Sequence, residues 1–288
     1  MNGVLNLMKP PGMTSHDVVY AVRRALGVKK VGHTGTLDPG VAGVLPICVG
    51  QATRLAEFIA GEDKAYRAEI TFGITTDTQD SFGEETGRTD ASHLTRGDLA
   101  YQLPRFSGPI MQVPPMVSAV KVGGRRLYEL AREGVEVERS ARPVTIHKLQ
   151  LLDFRPGPHP VAFVDVACSK GTYIRTLAVD IGAALGVGAH MSYLVRTRSG
   201  PFTLEQANTL EELREGKAPL LQPASALGSM PKATVSGPAA QRLQNGVTPR
   251  ITTGEPPGTT VALVDPDGEL LALAEATADG IRLLKVFA

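Results

Sequence analysis

One run constrains this chain more than any other: Gly-His-Thr-Gly-Thr-Leu-Asp-Pro-Gly-Val-Ala-Gly at residues 32–43. Asp38 is the only carboxylate between Asp17 and Glu57, and the other charged residues of that span are the cations Arg23, Arg24, Lys29, Lys30 and Arg54. Its neighbours are Thr, Leu, Pro, Gly and Val, which points to partial burial, and a carboxylate that loses water needs a partner or a job. Pro39 pushes Asp38 out of the α region. The glycines at 32, 35, 40 and 43 allow positive φ and close approach of a ligand. The run is neither a Walker A loop, lacking the Lys-Ser/Thr pair, nor a Gly-x-Ser-x-Gly nucleophile elbow. Asp-Pro-Gly is also an ordinary turn, so on these residues alone the loop reads either as a turn or as a holder for one acid.

Composition excludes several classes. At 288 residues, 42% hydrophobic and 20% charged, the chain has room for two globular domains. A net charge of +1 gives no whole-chain basic signature, so any nucleic-acid contact must come from local patches. Cys48 and Cys168 make neither a disulfide framework nor a zinc site and read as core residues. The apolar start is cut short by Lys9-Pro10-Pro11, unlike a signal peptide, and no apolar run is long enough to cross a membrane. The expectation is a cytoplasmic protein.

Local patterns give a strand at 3–8, then a helix capped by Thr14 or Ser15, carrying Val18, Val22 and Leu26 and stopped by Gly27. A second helix is expected at about 51–60. Residues 64–73 alternate as a strand, with Tyr66, Ala68, Ile70 and Phe72 on one face. Residues 75–83 read as polar loop and Ser92–Gln102 as helix. Within 111–148, Lys121, Arg125, Arg126 and Arg132 cluster around a hairpin-like insertion with a short helix, which on charge pattern alone could be a solvated face. Strands follow at about 144–154 and 161–168. Thr172 is a fair N-cap for a helix carrying Ile174, Leu177, Ala178, Ile181 and Leu185. Arg175 in its first turn opposes the helix dipole, which hints at a carboxylate or phosphate partner; a surface arginine is the alternative. A strand or loop at 193–203 carries Arg196 and Arg198. Near Leu227–Pro231 the chain turns Gly/Ser/Pro-rich. Beyond it lie five Lys/Arg against six Asp/Glu, a short helix at 238–244, and strands joined by Asp265-Pro266-Asp267-Gly268 and Asp279-Gly280, a pattern that fits a small β-barrel.

These motifs together resemble the TruB family of tRNA pseudouridine-55 synthases. The run GHTGTLDPGVAG is similar to its active-site motif. Lys9-Pro10-Pro11-Gly12 with Thr14-Ser15, Lys64-x-Tyr66, Gln112-x-Pro114-Pro115-x-x-Ser118-Ala119-x-Lys121, Arg126-x-Tyr128-x-x-Ala131-Arg132-x-Gly134 and Gly171-Thr172-Tyr173-Ile174-Arg175 follow in the family's order. The resemblance implies an α+β pseudouridine synthase domain over 1–229, with a central, mostly antiparallel sheet and an RNA-gripping thumb at about 111–148. It implies a small PUA-like RNA-binding domain over 230–288. The tail is short and without a strong basic patch, and an extended second RNA-binding region is missing. The first feature leaves the tail's RNA contribution open, and the second sets the chain apart from guide-RNA-dependent relatives.

By that resemblance the protein isomerises uridine 55 in the T-loop of tRNA, as a monomer with no cofactor or metal. Asp38 is the essential carboxylate, acting either on C1′ or on a sugar proton. Arg175 supplies the opposite charge that aims it. Tyr66 stacks on the uracil and stands near its C5 proton. Leu194 lines the base pocket, and His33 fills the gap left when the uridine flips out. Lys9, Lys64, Lys121, Arg126 and Arg132 are expected to contact the RNA. A tRNA-folding helper with incidental catalysis would use the same thumb and tail. An Asp/His hydrolase is disfavoured, because the six histidines show no ligand spacing and no Ser or Cys nucleophile is set up.

Overall fold

The computed structural model describes residues 1–287. In chain order it runs β1 (Gly3–Lys9), α1 (Ser15–Leu26), β2 (Val31–His33), β3 (Ala42–Val49), α2 (Ala56–Ala60), β4 (Lys64–Phe72), β5 (Ile74–Thr76), β6 (Glu85–Arg88), α3 (Arg96–Gln102) and β7 (Gly108–Gln112). Then come β8 (Lys121–Val122), β9 (Arg125–Arg126), α4 (Leu127–Arg132), β10 (Arg142–Arg155), β11 (Val161–Cys168), α5 (Ile174–Ala184), β12 (Ala189–Ser199), β13 (Phe202–Thr203) and α6 (Leu210–Arg214). The tail adds β14 (Lys232–Thr234), α7 (Gly237–Gln244), β15 (Thr260–Val264), β16 (Leu270–Thr277) and β17 (Gly280–Val286). Among the described residues no helix is long and apolar enough to cross a membrane.

The main sheet has the order β1-β3-β12-β4-β11-β10-β7, with β2 on β3 and β13 on β12. Every pairing is antiparallel except β3 with β12. The all-apolar β3 explains itself by facing two cores. Leu45, Ile47 and Val49 join a core with Val18, Val19 and Val22 of α1 and Leu177 and Ile181 of α5. Val44 and Cys48 join another with Ala262, Val264 and Leu273 of the tail. The tail strand β15 repeats the device: Val261 and Leu263 pack with Leu243 of α7, while Ala262 and Val264 face the body. The tail strands form one four-stranded sheet, β14-β15-β16-β17. Cys48 and Cys168 are buried, and burial raises their thiols to about 12 and about 11.

Several local readings hold and several shift. Thr14 and Asp17 form a reciprocal cap on α1, and Gly27 closes it at φ 65°. The helix expected at 51–60 begins as a tight turn over Gly50–Leu55 and becomes α-helical only from Ala56. The helix expected from Ser92 starts at Arg96, where the Thr95–Asp98 capping box satisfies the first amides. The 75–83 stretch is not plain loop: β5 and β6 pair across it. Thr172 is not the cap of α5. Its hydroxyl donates to Ser169 O at 2.9 Å, and Tyr173 takes the N-cap position. The excursion read as 111–148 leaves the sheet only between Gln112, the last residue of β7, and Arg142, the first of β10.

Gly43 shows how tightly the sheet centre is made. It lies opposite Arg196 in the parallel β3–β12 pair at φ 115°, and a Cβ there would stand 2.2 Å from Arg196 O. Backbone conformation and space both demand glycine. Gly43→Ala is expected to cost more than about 2 kcal/mol, read as a fall in the urea midpoint; an unchanged midpoint would show that the strands yield without penalty.

Candidate active site

Asp38 sits in the loop between β2 and β3, and the residues on both sides of it are pinned. Ser15 Oγ, at the start of α1, accepts from Leu37 N at 2.8 Å and donates to Leu37 O at 3.1 Å. Lys9 Nζ donates to the carbonyls of Pro10, Met13 and Pro39 at 2.9, 2.6 and 3.1 Å. Gly12 N donates to Pro39 O at 2.9 Å, and Val41 N to Asp38 O at 3.0 Å. Lys9, expected to contact RNA, is fully buried, with its three N–H donors spent on carbonyls that shape the loop. Burial pushes its ammonium down to about 8, still mostly charged at neutral pH.

Arg175 closes on the loop from α5. The N-cap of that helix is clamped from β7, where Gln112 Oε1 accepts from Tyr173 N at 3.0 Å and Nε2 donates to Tyr173 O at 3.3 Å. The Arg175 side chain is 5% exposed. Its Nη2 meets Asp38 Oδ2 at 3.0 Å and Val117 O at 2.8 Å. Its Nη1 donates to Thr78 O at 3.1 Å and lies 3.6 Å from Asp80 Oδ2. The cation at a helix start is thus answered by two carboxylates and two carbonyls. Asp38, by contrast, keeps its side chain 44% exposed, so the carboxylate opens onto the cleft while its partner forms the floor. Asp80 is buried, its Oδ1 accepting from Thr78 Oγ1 at 2.7 Å and Phe82 N at 3.0 Å. Between them Gln79 holds φ 66°, the one non-glycine at positive φ among the described residues, and its Oε1 accepts from Thr176 Oγ1 at 3.2 Å. Backbone strain of this kind concentrates at functional loops.

A cavity of about 260 Å³ lies against this pair, walled by Asp38, Tyr66, Arg175, Leu194 and Arg196 and, from the insertion, by Ser118 and Ala119. Tyr66 and Arg196 are opposite each other across β4 and β12. Register shifts on both sides of the Tyr193–Arg196 run re-aim this part of β12. Burial raises the Tyr66 phenol, and the neighbouring Arg196 charge pulls the other way. Arg196 is itself buried, with Nε donating to Val44 O at 2.7 Å and Nη2 to Gly35 O at 3.2 Å. It ties the two ends of the Asp38 loop to the sheet. Lys64 also reaches the cavity wall, but its ammonium donates to Ala60 O and Glu62 O at 2.6 and 2.5 Å, and burial lowers it to about 8. It is a strand anchor with little left for a phosphate.

The other expected residues lie outside the cavity wall. His33, at the end of β2, is half-buried, and its Nδ1 accepts from Gly35 N at 3.3 Å. Burial, then the Arg196 and His16 charges, lower its pKa, so the ring is neutral at physiological pH. Lys121, Arg126 and Arg132 are exposed on the insertion. Arg126 and Arg132 both lie over the Tyr128 ring, at 5.7 and 5.5 Å from its centroid, whereas Arg125 is paired with Glu133 at 2.5 Å. Reading the sequence missed Asp80, Arg196, Gln112 and Val117 as parts of the site. The first sat in a segment taken for polar loop, and the last acts through its carbonyl, which carries no side-chain signal. Arg196 stood beside Arg198 in a strand of mixed polarity, so nothing in the sequence singled it out.

The family model described as "TruB family pseudouridylate synthase (N terminal domain)" matches residues 23–174, and that described as "tRNA pseudouridylate synthase B C-terminal domain" matches residues 175–222. The chain belongs to the TruB family. A TruB relative from Symbiobacterium thermophilum, named tRNA pseudouridine synthase B, is 76% identical over 251 residues, which is 87% of this chain and 84% of the relative. One of the same name from Pelotomaculum thermopropionicum is 48% identical over 301 residues, 100% of this chain and 95% of the relative. Among solved structures, an H/ACA RNP bound to a substrate RNA containing 2′-deoxyuridine matches with a TM-score of 0.77 and 29% identity, covering 99% of this chain and 85% of that one. That structural likeness extends through the tail sheet as well as the body, whereas the family models end at residue 222.

The neutral His33 generates a pH prediction. In the unfolded chain it takes up a proton near about pH 6.5; in the folded chain it does so only at lower pH. Between those values the unfolded state binds more protons, so stability is complete above that window and is lost as pH falls through it. Wild-type Tm should drop more on acidification below pH 6.5 than that of His33→Gln. Parallel Tm curves would show that the ring is not held neutral by the fold.

Proposed function

We propose that this protein is a tRNA pseudouridine-55 synthase: it isomerises one uridine in the T-loop of tRNA to pseudouridine, acting as a monomer. The observation that carries this reading is the half-open Asp38 carboxylate held 3.0 Å from the buried Arg175, beside a cavity walled by Tyr66 and Leu194, in a TruB chain. Net chemistry at one nucleotide is sufficient. The N1–C1′ bond breaks, the uracil turns, C5–C1′ forms, the C5 proton leaves and N1 gains one, so no second substrate is consumed.

The proposed roles combine the family resemblance with this geometry. A uridine stacked in an RNA loop must flip to reach Asp38, at a cost of a few kcal/mol, and the neutral His33 ring takes its place in the stack. The flipped uracil lies against Tyr66 and Leu194. That puts the ribose at the cleft mouth, where the exposed Asp38 oxygen acts on the sugar. The bound nucleoside covers the carboxylate, and water exclusion strengthens its interaction with Arg175. Arg175 fixes the aim of Asp38, because its other donors are taken by Val117, Thr78 and Asp80. A buried phenol stays protonated at neutral pH, so Tyr66 serves by stacking and by receiving or relaying the C5 proton through its oxygen. Residues 1–229 carry the reaction, with the excursion from Val113 as a thumb whose Lys121, Arg126 and Arg132 contact phosphates of the T-arm. Residues 230–288 form a PUA-like domain that touches the same tRNA.

Asp38→Asn should abolish pseudouridine, mapped by carbodiimide treatment and primer extension on an unmodified tRNA transcript, with tRNA binding retained; a T-loop stop with this variant would remove Asp38 from the chemistry. Asp80→Asn leaves Arg175 free to turn from Asp38 and should lower kcat by about 10–100-fold with KM little changed; an unchanged kcat would make Asp80 a fold residue only. For the thumb, neutralising Lys121, Arg126 and Arg132 together should reduce the slope of log affinity against log salt by about 2–3. An unaltered slope would place the phosphate grip elsewhere.

A further inference from the structure

A second cavity, of about 230 Å³, shares Asp38, Val41 and Leu194 with the catalytic one and continues past them to Gly40, Phe82 and Tyr193. Its walls come from the Asp38 loop, the β5–β6 loop and β12. Phe82 is 75% exposed and Tyr193 48%, so two aromatic side chains stand open at the lip beside the catalytic carboxylate. Neither contributes its full apolar area to the core.

Phe82 is nevertheless firmly seated. Its amide donates to Asp80 Oδ1 at 3.0 Å, on the carboxylate that faces Arg175. The neighbouring Ser81 Oγ donates to Ser192 O at 3.0 Å, and Met191 N donates to Gln79 O at 3.1 Å, which stitches the loop to β12. The ring lies directly on Gly40: a Cβ there would stand 1.9 Å from Phe82 Cε2 and 2.2 Å from Cζ. Gly40, unlike Gly35 and Gly43, has no positive φ, so its backbone would accept a side chain. What excludes one is the ring. The residue two places from Asp38 is small where the chain lays a phenyl group across it, and the face of that group away from Gly40 is left to solvent.

An exposed aromatic face that is positioned, rigidly backed and continuous with the site of a flipped nucleotide has the chemistry of a base-stacking platform. We propose that Phe82, with Tyr193 beside it, stacks on the nucleobase immediately next to the target uridine and so positions the RNA strand at Asp38. This rests on the RNA-modifying reading of the site. The occupant is an unpaired base and not an apolar peptide, because the cavity also opens onto Asp38 and Asp80, next to which a ribose-phosphate strand brings hydroxyls. Phe82 is here a positioning residue: it touches the neighbour of the reacting nucleotide and takes no part in bond making.

The test measures tRNA affinity and pseudouridine formation for wild type, Phe82→Ala and Phe82→Trp. The substrates are an intact T-arm RNA and two versions that are abasic at the nucleotide before or after the target. With intact RNA, Phe82→Ala should weaken binding and raise KM about tenfold with kcat within about twofold, and Phe82→Trp should restore both. With one of the two abasic RNAs, wild type should lose the same factor and Phe82→Ala should lose nothing further. An equal effect of Phe82→Ala on all three RNAs, or no effect on any, would overturn the stacking assignment. Binding is scored separately from turnover. If wild type formed no pseudouridine while the Phe82 effect on binding still vanished with one abasic RNA, the reaction reading would fall and the platform would stand.

Discussion

Arg175 is a cation placed where burial and the helix dipole both disfavour it, and the site is built around offsetting that cost. Desolvating a guanidinium is expensive unless its donors are filled. Here they are filled from three separate pieces of chain: Asp38 from the β2–β3 loop, Thr78 and Asp80 from the β5–β6 loop, and Val117 from the insertion after β7. These segments lie outside the named strands, with a single bridge from Asp80 to Met191 of β12 tying the second of them to the sheet. The guanidinium does for them what ladder hydrogen bonds do for strands. Because one arginine satisfies all three, displacing any of them leaves it short of a partner, and the positions of the three segments become coupled.

A second arginine does comparable work beneath the loop. Arg196 lies in β12 between Tyr66 on β4 and Gly43 on β3, and its head group is bound to Val44 O and Gly35 O. The close approach requires glycine at 43. Lys9 completes the support from the other side through Pro39 O. Three buried cations therefore hold one loop mostly by backbone carbonyls, which keeps Asp38 the carboxylate that faces the cleft. A carboxylate partner for Arg196 or Lys9 would have added a third negative charge to the space that Asp38 and Asp80 already share around Arg175 and changed the electrostatics that Asp38 meets.

What could be read from the sequence depended on whether the information was local. Caps and periodicity located α1 because Thr14, Asp17 and Gly27 act on their own neighbours. The alternation of 64–72 located β4, and the isolation of Asp38 among cations marked the acid. Arg175 stood out by opposing its helix dipole. The roles of Lys9 and Lys64 were not legible, because a buried lysine and a phosphate-binding lysine look alike until burial is known. Asp80 was lost among Thr, Asp, Gln and Ser, which suit a surface turn equally well; the pairing of β5 with β6, the positive-φ Gln79 and the bridge of Asp80 to Met191 of β12 bring it to Arg175. Val117 contributes a carbonyl, and no side-chain pattern can reveal that.

The contact through Val117 bears on how substrate binding and chemistry are joined. The insertion carries the exposed cations Lys121, Arg126 and Arg132, yet its root carbonyl accepts from the same Nη2 that meets Asp38. An anion that shifts the insertion must either carry Val117 O with it or release that donor. In the first case the segment closes as a unit with the ion pair intact. In the second, a released Nη2 is left to Asp38 alone. Either way the insertion and Asp38 share one donor, Arg175 Nη2, so under the proposed function the RNA-binding segment and the acid are linked through it.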